Sequence, residues 1–216
     1  MAEDREGIEF MAGLFDGINN GYLIDIGAHD GVAKGSMTRE LVLKGWGGLM
    51  VEPLPKAFAL LHNAYRTNPG IYCINAACSD VEGDAILYPC DGVSTLDSQW
   101  AEVCEGWWKH VKYGAPIPVK THLLSNLMDQ ANSPSRINLL QIDTEGHDLR
   151  VLKGMDWQRR TVDVVCVETL DMIHPERKVN GIHQPNPEMN DYLVTLGFQL
   201  KILTKGGNGI YVRGGL

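Results

Sequence analysis

YLIDIGAHDGV, residues 22–32, is the stretch whose reading decides the fold. Tyr22, Leu23 and Ile24 run into Asp25, and a turn carrying Gly27 and Gly31 follows at once. Such a run reads as a strand that delivers a carboxylate to a turn whose bare backbone can approach a ligand closely. Four more runs repeat the pattern: GGLMVEP (47–53), IYCINAA (71–77), INLLQID (137–143) and VDVVCVE (162–168). They are nearly continuous in apolar residues, where a half-exposed strand would alternate. Strands covered on both faces have this composition, which predicts a parallel α/β sheet.

The segments between the runs suit crossover helices: 36–46, 55–68 and 147–155. A further helix over 187–198, opened by Pro187, leads into FQLKILTK (198–205) and GNGIYVR (207–213), which read as a closing antiparallel pair. One region departs from the alternation. Residues 84–97 read as a hairpin, and 98–118 hold Trp100, Trp107, Trp108 and Tyr113, so 84–118 is expected to be an insertion above the carboxyl edge of the sheet. The chain, 1–216, is read as one domain, because 216 residues with 44% hydrophobic content suffice for one core but not two.

Bulk properties narrow the function classes. The net charge of −8 is spread along the chain without a basic stripe, which argues against a nucleic-acid partner. No run approaches the roughly 18 apolar residues of a membrane span, and the charged start MAEDREGIEF lacks a signal-peptide core. The five cysteines (Cys73, Cys78, Cys90, Cys104, Cys166) form no CxxC pair. Reduced thiols in a cytoplasmic protein are the expectation. Exposed tryptophans in the insertion would suit a homodimer.

In an open parallel sheet, ligands bind beyond the carboxyl ends of the strands. The runs end at Asp25, Glu52, Asp143 and Glu168. Any one of these can be a cap or turn acid; four at corresponding places are harder to dismiss. Glu52 lies about 20 residues past the glycine turn, where a Rossmann-like unit presents an acid to a ribose diol. The alternative is that it caps the helix after Pro53 and Pro55. The turn lacks the GxGxxG pattern that lets backbone approach a pyrophosphate, because His29 stands between Gly27 and Gly31. Asp25 would repel a pyrophosphate and attract an ammonium group. S-adenosylmethionine has an ammonium, a sulfonium and a ribose diol but no phosphate, and the acidic rim suits it. Gly27 and Gly31 would then keep Cβ atoms away from its methionine part.

IDIGAHDG, GWGGLMVEPLPKAFALL, INAACSDVEG, LLQIDTEGHDLRVLKG and VVCVE, in this order, resemble the FkbM family of S-adenosylmethionine-dependent methyltransferases. The resemblance runs from about Gly21 to Glu168, with LGF and NGIYV extending it. It implies a class I methyltransferase fold: a Rossmann-like, mostly parallel seven-stranded sheet with helices on both faces and an antiparallel last strand. It also implies O-methylation of a small molecule or sugar hydroxyl. Asp25 and Gly27 match the family's first cofactor motif, Glu52 its ribose-binding acid, and Ser79 with Asp80 the position bordering adenine. Asp143 and Glu145 match its acidic pair. His29 replaces a glycine common in methyltransferases, and His147 fills a variable position.

Methyl transfer to an alcohol needs an in-line approach and a base for the hydroxyl proton. Asp143 is the first candidate, with Glu145 and His147 as alternatives; a solvated residue is the plain reading of His147. Asp143, Glu145 and Glu168 could also converge on magnesium or manganese, a set of hard oxygen ligands. Trp100, Trp107, Trp108 and Tyr113 offer either an aromatic wall for a sugar ring or a satellite core. Ser94 and Thr95 offer contacts to the ligands or a cap to the next helix, and His174 and His183 either reach the acceptor or lie exposed. An O-methyltransferase acting on a glycan or glycosylated metabolite is the leading expectation. A nucleotide-dependent oxidoreductase and a non-catalytic binding module are its alternatives.

Overall fold

The computed structural model describes residues 5–32, 36, 38–169, 173–174, 178–179 and 182–215, with backbone alone at 178, 179, 182 and 183. Helix α1 (Arg5–Leu14) precedes β1 (Tyr22–Ile26), which is followed by the short α2 (Arg39–Leu43), β2 (Gly47–Val51), α3 (Pro55–Tyr65) and β3 (Ile71–Ile74). Leu23, Ile24, Leu49, Met50 and Val51 are fully buried, as strands covered on both faces require. Helix α3 starts with Pro55 in its first turn, where a missing N–H costs nothing, and buries Ala57, Leu61 and Tyr65.

The run 71–77 is not one strand. It breaks at Asn75, whose Nδ2 donates to the carbonyls of Glu52 (2.8 Å) and Pro53 (3.1 Å). The chain beyond it, β4 (Ala77–Ser79), leaves the main sheet for a small second one with β5 (Gly83–Leu87) and β6 (Ile117–Leu123). The expected hairpin over 84–97 is therefore reduced to a single bridge between Tyr88 and Thr95, because β5 pairs antiparallel with β6. Between them lies α4 (Ser98–Trp107), capped by Asp97, which accepts from the amides of Gln99 and Trp100.

Helix α5 (Leu124–Gln130) leads to β7 (Arg136–Ile142), α6 (Asp148–Lys153) and β8 (Thr161–Glu168). A minor ribbon of β9 (Lys178–Val179) and β10 (Ile182–His183) follows, then α7 (Pro187–Thr195), β11 (Phe198–Leu203) and β12 (Asn208–Arg213). The main sheet has seven strands in the order β11-β12-β8-β7-β1-β2-β3. Only β12 runs against its neighbours, pairing antiparallel with both β8 and β11. This is the mostly parallel, doubly covered sheet with a reversed last strand that the sequence resemblance implies. Two apolar clusters fill its faces, one around Ile24, Leu140 and Val165 and the other around Leu23, Leu139 and Cys166. Among the described residues no helix is long and apolar enough to cross a membrane.

Chain order reverses between β1 and β7, which lie side by side with their carboxyl ends at the same edge. In an open α/β sheet that crevice is where a ligand fits. Here it opens into a cavity of about 940 Å³.

Candidate active site

All four strand-end acids line this cavity: Asp25, Glu52, Asp143 and Glu168. Two turns bring them together. The amides of Gly27 and Ala28 donate to the Val51 carbonyl at 2.9 and 3.1 Å, and Asp143 N–H donates to the Ile26 carbonyl at 2.9 Å. Gly27 adopts φ +86°, and a Cβ there would collide with the Asp143 carbonyl oxygen. The glycine thus lets the turn after β1 press against the end of β7, which is a packing reason beside the expected ligand one.

The acids of the first half are already engaged. Asp25, 6% exposed, accepts a short hydrogen bond from the Thr38 hydroxyl. Burial pushes its carboxyl up to about 7, opposed by the Thr38 bond and reinforced by Asp143 and Glu52. Glu52 accepts from His29 N–H at one oxygen (2.9 Å) and Leu54 N–H at the other (2.8 Å). It braces the backbone just before α3 without capping the helix, whose N-cap is Leu54, and it also pins the turn after β1. Each carboxylate oxygen keeps a second lone pair for a ligand facing the cavity. Burial raises its pKa against those two bonds.

The second half carries less satisfied acids. Oxygens of Asp143, Glu145 and Glu168 lie within 4.8 Å of one another. Asp143 is open to the cavity yet deep in the fold, and loss of bulk solvent around it raises its carboxyl to about 6. Glu145, with φ +55°, is held from α4 and the loop before it: Trp100 Nε1 donates to its Oε2 (3.2 Å) and the Thr95 hydroxyl to its carbonyl (2.7 Å). Gly146 follows at φ +88° with its Cα against the Trp100 ring, where a Cβ would sit 2.6 Å from ring carbons. Burial first, then the neighbouring acids, drives Glu145 and Glu168 well above the ordinary carboxylate range. A further acid, Asp148, is 2% exposed, accepts from Thr144 N–H and is pushed up to about 7. It was not singled out from the sequence, although its place three residues after Glu145 at the start of α6 was a usable signal.

Several expected residues sit elsewhere. Gly31 adjoins the cavity, but the space a Cβ would take is filled by Leu61 and Tyr65, so helix packing requires this glycine. His29 lines the cavity, but its ring Nε2 bonds Asp91 (3.0 Å). Ser79, Asp80 and His147 do not line it; Ala76, Ala77 and Cys78 do. Ser79 instead bridges His147 Nε2 (2.9 Å) and Asp80 (3.1 Å), because β4 has left the main sheet. Burial and Arg150 lower the His147 pKa to about 4, which makes it a weak base and removes the advantage expected of it.

The aromatic group divides. Trp100 is 2% exposed and belongs, with Val93, Cys104 and Val111, to a satellite core against which Tyr113 packs. Trp107 is exposed, and Trp108 alone of the four lines the cavity. Ser94 lines it too, while its hydroxyl is bound to Cys90; neither Ser94 nor Thr95 caps α4. His174 is exposed, and the side chain of His183 lies outside the described residues.

A sequence model of the methyltransferase FkbM domain matches residues 25–200. Among solved structures, a methyltransferase FkbM from Methylobacillus flagellatus KT is similar at TM-score 0.53 and 12% identity, over 91% of this chain and 44% of that one. A putative caffeoyl-CoA O-methyltransferase from Staphylococcus aureus is similar at TM-score 0.51 and 11% identity, over 97% of this chain and 84% of that one. At such identities the likeness is one of fold. The chain spans less than half the length of the Methylobacillus protein. No curated protein matches it.

Proposed function

The chain belongs to the FkbM methyltransferase family, and on that premise we propose that it is an S-adenosylmethionine-dependent O-methyltransferase acting on a hydroxyl of a sugar, glycan or glycosylated small molecule. The observation that carries this reading is the gathering of four strand-end carboxyls around one cavity at the switch point of the sheet. A cofactor with an ammonium, a sulfonium and a vicinal diol finds complementary charge there, and a pyrophosphate does not. Glu52 would take the ribose hydroxyls on the lone pairs its two amide bonds leave free. Asp25 and the turn at Gly27 would face the methionine end.

The acceptor oxygen would then approach the methyl carbon from the side of Asp143. S-adenosylmethionine, held there, would supply the methyl group on a sulfonium that takes back the C–S electron pair as the O–CH3 bond forms. The hydroxyl proton passes to the Asp143 carboxylate, whose pKa near 6 leaves it mostly ionised and more basic than an ordinary aspartate. Trp108 on the cavity wall supports a sugar acceptor, since an indole face suits the C–H side of a pyranose. That none of the five cysteines is in a disulfide supports placement in the reducing cytoplasm.

Thermal melting with S-adenosylmethionine, S-adenosylhomocysteine, NAD and buffer tests the reading, because a ligand that binds only the folded state raises the midpoint. The expected result is a rise with both adenosyl sulfur compounds and none with NAD. A rise with NAD alone would favour an oxidoreductase, and no response to any would favour a binding module.

A further inference from the structure

Among the described residues, the buried side-chain polar atoms that lack a hydrogen-bond partner are three: Gln141 Oε1, Thr144 Oγ1 and Glu168 Oε2. Folded proteins seldom leave such atoms unsatisfied, and a group of them at one place points to a bound water or ion. All three residues line the cavity, beside Asp143 and Glu145. Strand register explains the convergence. Gln141 pairs with Cys166 across β7 and β8, and register partners in a parallel pair face the same side, as do residues two apart on one strand. Asp143 and Glu168, each two residues beyond that pair, therefore stand over Gln141 on one face. Gln141 is only 4% exposed, and its Oε1 has no access to bulk water.

Charge points the same way. Among the described residues, no lysine or arginine forms an ion pair with Asp143, Glu145 or Glu168. With no cationic side chain paired to them, these acids lack a charge that would favour their ionised forms, and a bound divalent cation would supply that partner. Two oxygens on opposite sides of a divalent ion stand about 4–5 Å apart for ligand distances between those of magnesium and calcium. The oxygens of the three acids, all within 4.8 Å of one another, are close enough to share one such ion.

We infer that Asp143, Glu145 and Glu168 form a binding site for one hard divalent cation, with the Gln141 amide oxygen and the Thr144 hydroxyl as neutral oxygen donors or partners of its bound water. The ion holds the acceptor: two adjacent hydroxyls of a sugar complete its coordination, and the one nearer the cofactor is acidified and gives its proton to the Asp143 oxygen turned away from the ion as it attacks the methyl carbon. The substrate class narrows to vicinal diols. This role for the ion rests on the methyl-transfer reading, whereas the site itself does not.

The test is titration of the EDTA-stripped full chain with Mn2+ at pH 8, with free ion followed by its paramagnetic resonance signal. One ion per chain with micromolar affinity is expected, displaced by Mg2+ or Ca2+. Glu168→Gln and Asp143→Asn each weaken binding at least tenfold, and a cooperative melting transition in each shows that the variant is folded. Absence of binding at millimolar Mn2+, or unchanged affinity in both folded variants, overturns the site. Mn2+ binding without any response to S-adenosylhomocysteine would leave the site standing and defeat the methyl-transfer reading; the reverse pair of results would do the opposite.

Discussion

Strand β8 buries an acid near each end, and the two are treated differently by the fold. Asp163, near the amino end, is 6% exposed and accepts from Arg136 Nε at both oxygens (3.1 Å each) and from Asn138 Nδ2 (3.0 Å). Glu168, at the carboxyl end, has a buried oxygen without a partner and two acids as its charged neighbours. Burial of a carboxyl is therefore no mark of function in this molecule; burial without compensation is. The amino edge of the sheet spends its acid on structure, and the carboxyl edge keeps acids that no basic side chain among the described residues compensates.

The contrast can be broken most forcefully at the chemistry. Asp143→Asn should lower methyl transfer to an accepted hydroxyl by about 10²–10⁴, the usual worth of a positioned base, with the melting midpoint held or raised. Full activity in that variant would remove Asp143 from the base role. At the other edge, Asp163→Asn should leave transfer intact and cost about 1–3 kcal/mol, since Arg136 keeps only a neutral partner. Denaturant melting reads this as a lower midpoint, and an unchanged midpoint would erase the distinction between the edges.

Acidity sharpens the same comparison. Asp25 and Asp148 hold protons up to about pH 7 in the native state, where an unfolded chain releases them near pH 4. Their contribution to stability is thus complete below about pH 4 and lost as the pH rises through about 7. Glu145 and Glu168, also raised well above the ordinary carboxylate range, add to the loss. His147 works the other way, adding stability as the pH rises, but only below its unfolded value of about 6.5. The ligand-free chain should therefore melt several degrees lower at pH 8 than at pH 5, by calorimetry, and Glu168→Gln should shrink that difference. A midpoint that rises over this interval would contradict the charge account. The smallest effect is expected at His147→Gln, about 1 kcal/mol or less for its bond to Ser79 and no change in cofactor affinity; a tenfold weaker cofactor would return His147 to the site.

Much of the fold was legible because five apolar runs and their terminal acids follow from burial on two faces, which leaves a direct mark on composition. Asp25, Glu52, Asp143 and Glu168 could be grouped from that rule before any coordinates. The departures have a common cause. The break at Asn75 depends on a side chain capping carbonyls across a loop, and β5 pairs with a strand some thirty residues away in place of its own hairpin partner. Neither contact leaves a local period. That detour carries Ser79 and Asp80 out of the cavity and draws His147 after them. Gln141 was invisible for another reason: one polar residue in an apolar run reads as tolerated, and only the missing partner in space gives it meaning.

The claim beneath these expectations is that the carboxyl edge is a cofactor site divided between a pre-satisfied β1–β2 half and an uncompensated β7–β8 half. A crystal structure with S-adenosylhomocysteine tests it most directly. The ribose hydroxyls should lie on Glu52 and the sulfur should turn toward Asp143, with the floor around Glu168 left for the acceptor. A nucleoside seated on Glu145 and Glu168, or a ligand bound outside this cavity, would contradict it.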